Sequence, residues 1–140
     1  MTGKERVLAA VSCNEVDRVP WVPFVGCHAG SLLDISAEEY LKSSEHMING
    51  LNEAIRRYRP DGIPVVFDLQ IEAETFGCEL AWAEENPPAV HSHPLEQGVS
   101  LSDLSVPGPD DGRFPPVLET ARTLREQHPD TALYGLITGP

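Results

Sequence analysis

Residues 64–80 read PVVFDLQIEAETFGCEL, and the reading of this stretch decides the fold. It continues an apolar run, Ile63 to Phe67, interrupted only by Pro64, and the run stops at a carboxylate, Asp68. A short continuous apolar run of this kind marks a strand buried on both faces, which belongs to a parallel sheet. In such folds the polar group at the strand's carboxyl end is where chemistry collects. Glu72 and Glu74 follow at once, then Phe76 and the turn residue Gly77. Asp68 is therefore the candidate catalytic residue, with Glu72 and Glu74 as candidate substrate-binding carboxylates. Spaced two apart, the two glutamates share a face on a strand and diverge on a helix, and the sequence leaves both open.

Working outward, Ser36 to Arg59 reads as the clearest helix. Ser36 and Glu39 form a capping box, Leu41, Ile48, Leu51, Ile55 and Tyr58 recur at helical spacing, and Pro60-Asp61-Gly62 ends it. Before it, Val19 to Val25 reads as a strand despite Pro20 and Pro23, and Gly26 to Gly30 as a small-residue loop. Strand, helix, strand is one βαβ unit, with a right-handed crossover. Thr2 to Cys13 reads as a short helix opened by a Thr2/Glu5 capping box, with Val7, Leu8 and Val11 on one face.

Beyond the central stretch, Cys78 to Trp82 reads as a short strand and Glu84 to Pro109 as a proline-rich loop covering a site. Pro116 to Gln127 reads as a helix burying Val117, Leu118, Ala121 and Leu124. Leu133 to Thr138 reads as a third buried strand, with a Gly139-Pro140 turn after it. The fold class is α/β.

Charge narrows the function. Of 22 acidic residues, 11 lie between Pro60 and Gly112, a segment with no Lys or Arg, so most of the net charge of −12 belongs there. Nucleic-acid binding draws its affinity from cations and is disfavoured. No apolar run approaches the roughly 20 residues of a membrane span. The charged start lacks a signal peptide, and three widely spaced cysteines suit free thiols in a reducing, cytoplasmic compartment.

Cys27 and His28 stand side by side at a strand end, where a thiol and an imidazole could act together. Neighbours on a strand point to opposite faces, so Cys27 reads as a packed small residue and His28 as a candidate substrate-binding residue. His91 and His93 have a spacing that suits either metal binding or plain solvation in a loop. No metal ligand is assigned to the chain. For Asp68 the competing role is capping of the residues after it.

Several of these segments together resemble one family. The opening MTGKERVLAAV with DRVP soon after, FDL-IEAETFGCEL, GRFPPVLETARTL and LITGP are similar to the N-terminal part of the uroporphyrinogen decarboxylase family. Within it they look closest to the methylcobamide:coenzyme M methyltransferase branch. The resemblance runs over residues 1–140 and implies a single, incomplete TIM (β/α)8 barrel domain: an N-terminal fragment with about three of eight parallel strands and flanking helices. Asp68 matches the aspartate that holds pyrrole nitrogens in the decarboxylases. The arginine-rich motif that meets the porphyrinogen's propionates corresponds here to Gly26-Cys27-His28-Ala29-Gly30-Ser31, which has no arginine.

The resemblance therefore favours transfer of a methyl group from a methylcobamide to a thiol. Uroporphyrinogen decarboxylation in porphyrin and haem biosynthesis is the alternative, as is a non-catalytic half-barrel or relic. The methyltransferase branch uses zinc and a corrinoid protein, and its zinc ligands lie in a C-terminal half beyond this sequence. No cofactor is expected on this chain alone. Its implied partners are a corrinoid protein or a tetrapyrrole substrate, and a C-terminal half-barrel.

Overall fold

The computed structural model of the chain describes residues 1–138, and the expected Gly139-Pro140 turn lies outside them. Helix α1, Gly3–Val11, opens as expected: the Thr2 side chain accepts from the Glu5 N–H, and the Glu5 carboxylate accepts from the Thr2 N–H. Its inward face is not the apolar one. Leu8 and Val11 are 54% and 73% exposed, whereas Arg6 is buried. The reason is electrostatic pairing. Arg6 donates to Asp61 at 2.5 Å and to Asp17 at 2.6 and 2.7 Å, while Arg18 grips Asp61 at 2.5 and 2.8 Å. A buried guanidinium survives only when its charge is met in this way. The network fastens α1 to the start of the sheet.

The expected strand Val19 to Val25 does not form. The segment runs beside the sheet but joins no ladder, and it is linked through Asp61, whose N–H donates to the Trp21 carbonyl at 2.9 Å and whose Oδ2 accepts from the Trp21 N–H at 2.8 Å. Pro20 and Pro23 supply no donors. Pro64 supplies none either, and it faces this side of the sheet, because Val65 next to it donates the other way, to Tyr134. The parallel sheet therefore has two strands among the described residues, β1 (Gly62–Pro64) and β4 (Ala132–Tyr134), in the register Gly62↔Ala132, Ile63↔Leu133, Pro64↔Tyr134. The last strand is shorter than the expected Leu133 to Thr138.

Between the Val19 to Val25 segment and β1 the chain makes three helices rather than one. The loop at 26–30 winds into a single turn, α2 (His28–Ser31). The long helix breaks at Ser43, whose extended backbone separates α3 (Ala37–Lys42) from α4 (Ser44–Tyr58) and whose side chain caps the second by accepting from the His46 N–H. Serine favours caps over helix interiors because its hydroxyl competes for backbone partners. The capping box at Ser36 and Glu39 is present. Helix α4 packs through Met47, Gly50, Leu51 and Ala54, with Ile48, Ile55 and Tyr58 only partly covered. A Cβ on Gly50 would stand 2.7 Å from the Ala29 carbonyl oxygen, so α2 and α4 meet almost backbone to backbone.

After β1 the chain turns into α5 (Ile71–Thr75), then an antiparallel hairpin of β2 (Glu79–Ala81) and β3 (Ala89–Ser92). The first strand was expected. The second falls in what reads as loop, since pairing across Pro87 and Pro88 leaves no periodic signal. Helix α6 starts two residues early, at Phe114, and runs to Gln127. Pro115 and Pro116 fit its first turn because those N–H groups would have no helical partner. Leu124 and Thr120 are buried, but Leu118 is 38% exposed and leaves the expected face. The core gathers Tyr40, Leu41, Met47, Leu51, Ile63 and Leu124 between the helices and the sheet. No helix among the described residues is long and apolar enough to cross a membrane.

Candidate active site at the carboxyl end of the sheet

The apolar run outlasts the strand: β1 ends at Pro64, only the Val65 N–H still reaches Tyr134, and Asp68 stands four residues past β1 rather than at the end of a strand over Ile63 to Phe67, with Val65 and Val66 buried between them. The Asp68 side chain has no solvent exposure. Oδ1 accepts from the Gln70 N–H at 2.9 Å, an Asx turn that leads into α5, but Gln70 is the capping position and α5 has no side-chain cap, so the competing role of Asp68 as a helix cap is not filled. Oδ2 lies 2.7 Å from Arg113 Nη1. That contact is an ion pair without hydrogen-bond alignment, and it leaves Asp68 Oδ2 and Arg113 Nη2 buried with no hydrogen-bond partner among the described residues.

Arg113 is the residue the sequence reading missed. Standing at the start of α6, it donates through Nε to Glu74 at 2.5 Å and through Nη1 to the Leu41 carbonyl at 3.3 Å. Its guanidinium carbon lies 5.0 Å from the centre of the Trp82 ring, over which Lys42 also sits at 4.3 Å. The available signal was charge: Arg113 is the first cation after the basic-free segment 60–112, in a chain with acids to be met.

Glu72 and Glu74 lie on α5, so they diverge. Glu74 turns to Arg113, and Glu72 turns to the segment after β4, where Oε1 accepts from the Thr138 N–H at 3.4 Å. Glu72 Oε2 is buried without a partner among the described residues. Thr138 Oγ1 donates to the Leu69 carbonyl at 2.8 Å and closes this side of the site.

Cys27 and His28 part company. Cys27 is buried in the core, where burial and then the nearby charge of Asp68 push its thiol up to about 11. It is a neutral packed group at pH 7. His28 is exposed, and its Nε2 lies 2.7 Å from the Tyr58 hydroxyl with the two rings stacked at 5.8 Å. No contact joins it to the Asp68 cluster among the described residues. His91 and His93 are exposed, and no group of three His, Cys, Asp or Glu side chains converges to hold a metal among the described residues.

Parallel strands flanked by helices, with carboxylates gathered past the strands' carboxyl ends, define a section of a TIM barrel. The chain belongs to the uroporphyrinogen decarboxylase family, whose model, "Uroporphyrinogen decarboxylase (URO-D)", matches residues 2–140. It is 28% identical to the methylcobamide:CoM methyltransferase MtbA of Methanosarcina mazei and 26% identical to that of Methanosarcina acetivorans, each over 99% of this chain. The chain spans 42% of the length of these curated relatives. A solved methyltransferase from Methanosarcina mazei superposes on all of this chain with a TM-score of 0.84 at 26% identity, over 43% of its own length.

Proposed function

We propose that this chain supplies the Asp68 side of a methyl-transferring barrel, in which a methylcobamide carried by a corrinoid protein gives its methyl group to a thiol. The observation that carries this reading is the charge at the mouth. Among the described residues Asp68 and Glu74 share one cation, Arg113, and Glu72 has no cation paired with it. The segment Gly26 to Ser31 brings no arginine. A porphyrinogen bearing carboxylates around its rim would meet like charge, and each pair about 5.5 Å apart costs about 3 kcal/mol at an effective dielectric of 20. Decarboxylation of uroporphyrinogen, the activity in the family's name, is disfavoured on that ground.

The transfer forms an S–C bond and breaks a Co–C bond, with the electron pair staying on cobalt, and the acceptor thiol must lose its proton. In this reading Glu72 Oε2, an acceptor without a partner, takes that proton. Asp68 accepts an N–H of the bound donor through Oδ2, and Arg113 fixes the carboxylate in place. Zinc-assisted activation of the thiol fits no donor set among the described residues, so no step is routed through a metal. His28 stays a candidate substrate-binding residue, since its ring is exposed.

The test mixes the complete barrel with methylcobalamin and a thiol, following the cobalt absorbance, with uroporphyrinogen as a parallel substrate. Thiol-dependent demethylation without porphyrinogen decarboxylation supports the reading, and the reverse pattern sinks it. Translating the DNA beyond Pro140 adds a check. Absence of a His-x-Cys followed much later by Cys, together with a stable monomeric chain, would assign a non-catalytic half-barrel instead.

A further inference from the structure

At the opposite end of the sheet from Asp68, a cavity of about 200 Å³ opens between the start of α1, the end of α6 and the start of β4. Its lining is Lys4, Arg125, His128, Pro129, Thr131 and Leu133. We infer that this cavity binds a small, multiply charged oxyanion, with the phosphate group of a small molecule as the class its donors suit.

The case rests on where the chain leaves its cations. Six of the ten, Arg6, Arg18, Lys42, Arg56, Arg57 and Arg113, are held in ion pairs. Lys4, Arg59, Arg122 and Arg125 form none among the described residues, and two of these four line this one cavity. No Asp or Glu lines it, in a chain with more than twice as many acids as cations. A surface cation in so acidic a protein has carboxylates available, so two left unpaired around one concavity point to an anion from outside.

The third polar wall is held in place. Asn52 Nδ2 donates to Gln127 Oε1 at 2.9 Å, which leaves Asn52 Oδ1 to accept from His128 Nε2 at 2.6 Å. That fixes the imidazole's orientation at the end of α6 and spends its Nε2 donor, and because burial lowers its pKa the ring is neutral at pH 7, so His128 shapes the cavity wall while Lys4 and Arg125 supply the donors to the anion. Lys4 is anchored through its backbone N–H, which donates to the Asp130 carbonyl at 2.8 Å. Arg125 supplies a planar fork for two oxygens of one phosphate, and Lys4 a point charge for a third. The chain's overall charge of −12 repels anions at long range, but salt screens this beyond about 8 Å under physiological conditions. Within the cavity the local cations decide.

Pro129 and Leu133 give the cavity an apolar side, suited to the organic portion of a phosphorylated molecule. Along an extended chain the six residue steps from Gly62 to Asp68 cover roughly 20 Å, so such a ligand does not compete for the mouth. It would tie α1, α6 and β4 together. The site is independent of the methyl-transfer reading.

The test titrates inorganic phosphate into the full 140-residue chain at constant ionic strength, with sulfate and acetate as parallel arms, and follows the backbone amide NMR signals of Lys4, His128 and Thr131. The expected result is saturable shifts at these positions for phosphate and sulfate, with acetate at least 10-fold weaker. Lys4→Gln and Arg125→Gln should each weaken phosphate at least 3-fold and the pair at least 10-fold, while Arg125→Lys retains most of it. Both side chains are free of ion pairs among the described residues, and the unchanged circular dichroism of each variant is checked first. A rise in melting temperature with phosphate, lost in the double variant, gives a second readout. Non-saturable shifts, equal binding of acetate, or equal phosphate affinity in the double variant would overturn the inference.

Discussion

Replacing Arg113 by Met removes the cation over a carboxylate that has no solvent exposure. Methionine keeps most of the side chain's length and its packing against Trp82, so the change removes the charge and the donors to Glu74 and the Leu41 carbonyl while sparing the packing. Leaving a buried carboxylate unpaired costs about 3–5 kcal/mol, a large fraction of the roughly 5–15 kcal/mol that holds a domain together. With a urea dependence of about 2 kcal/mol per molar, the unfolding midpoint should fall by about 1.5–2.5 M. Asp68→Asn should cost less, about 1–3 kcal/mol, because Arg113 retains Glu74 and the Leu41 carbonyl. The double variant leaves no stranded charge at this pair, so its cost should fall short of the sum of the singles by at least about 2 kcal/mol. Circular dichroism in urea at pH 7 measures all three. Additivity within about 0.5 kcal/mol, or a cost for Arg113→Met below about 1 kcal/mol, would refute the account of this pair.

Asp61 governs the acid limb of stability. Burial pushes its carboxyl up, but Arg18, the Trp21 N–H and Arg6 outweigh burial and hold it below the ordinary carboxylate range; Arg6, above all, holds Asp17 well below that range too. Both contributions are complete above the unfolded value near 3.9 and are lost as pH falls through the lower folded values. Asp61→Asn should therefore lower the urea midpoint at pH 7 and flatten its decline between pH 4 and 2; parallel pH curves for the two proteins would contradict this. Native thiol counting at pH 8 should find Cys13, which is exposed, reacting fast and Cys27 reacting only on unfolding. Rapid labelling of Cys27 would remove it from the core. Gly50→Ala should destabilise by about 1–3 kcal/mol, because its Cβ meets backbone at 2.7 Å and that overlap outweighs alanine's better helix propensity; a neutral or stabilising result would show that α2 yields.

What the sequence revealed was local. The apolar run ending at Asp68 is a one-dimensional pattern, so a buried strand with an acid beyond it was legible, though not that the ladder stops at Pro64, and the capping boxes at Thr2 and Ser36 were legible too. Arg113 was hidden because nothing local says which acid a distant cation will meet. The same blindness put Leu8 and Val11 inside, when the long-range partner Asp61 draws Arg6 inward in their place. The Val19 to Val25 segment has a strand's composition and even its position beside β1. It lacks donors at Pro20 and Pro23, its Trp21 N–H goes to the Asp61 side chain instead of a ladder, and Pro64 adds to the shortage from the facing strand. The hairpin strand Ala89–Ser92 depends on a partner, Glu79–Ala81, across a proline turn, and its own residues carry no alternation to announce it. Glu72 and Glu74 were ambiguous because two residues are too few to separate a helix from a strand, and the turn at Gln70 resolved them.

The central claim is that the acid at position 68 acts on a bound substrate at the mouth of a barrel. Its most direct measurement is methyl transfer from methylcobalamin to a thiol by the complete barrel carrying Asp68→Asn, at a temperature where wild type and variant are both fully folded by circular dichroism. The account predicts turnover reduced about 100-fold, on the scale of losing one preorganised electrostatic contact. Turnover equal to wild type under those conditions would contradict it and leave Asp68 as the buried partner of Arg113 alone.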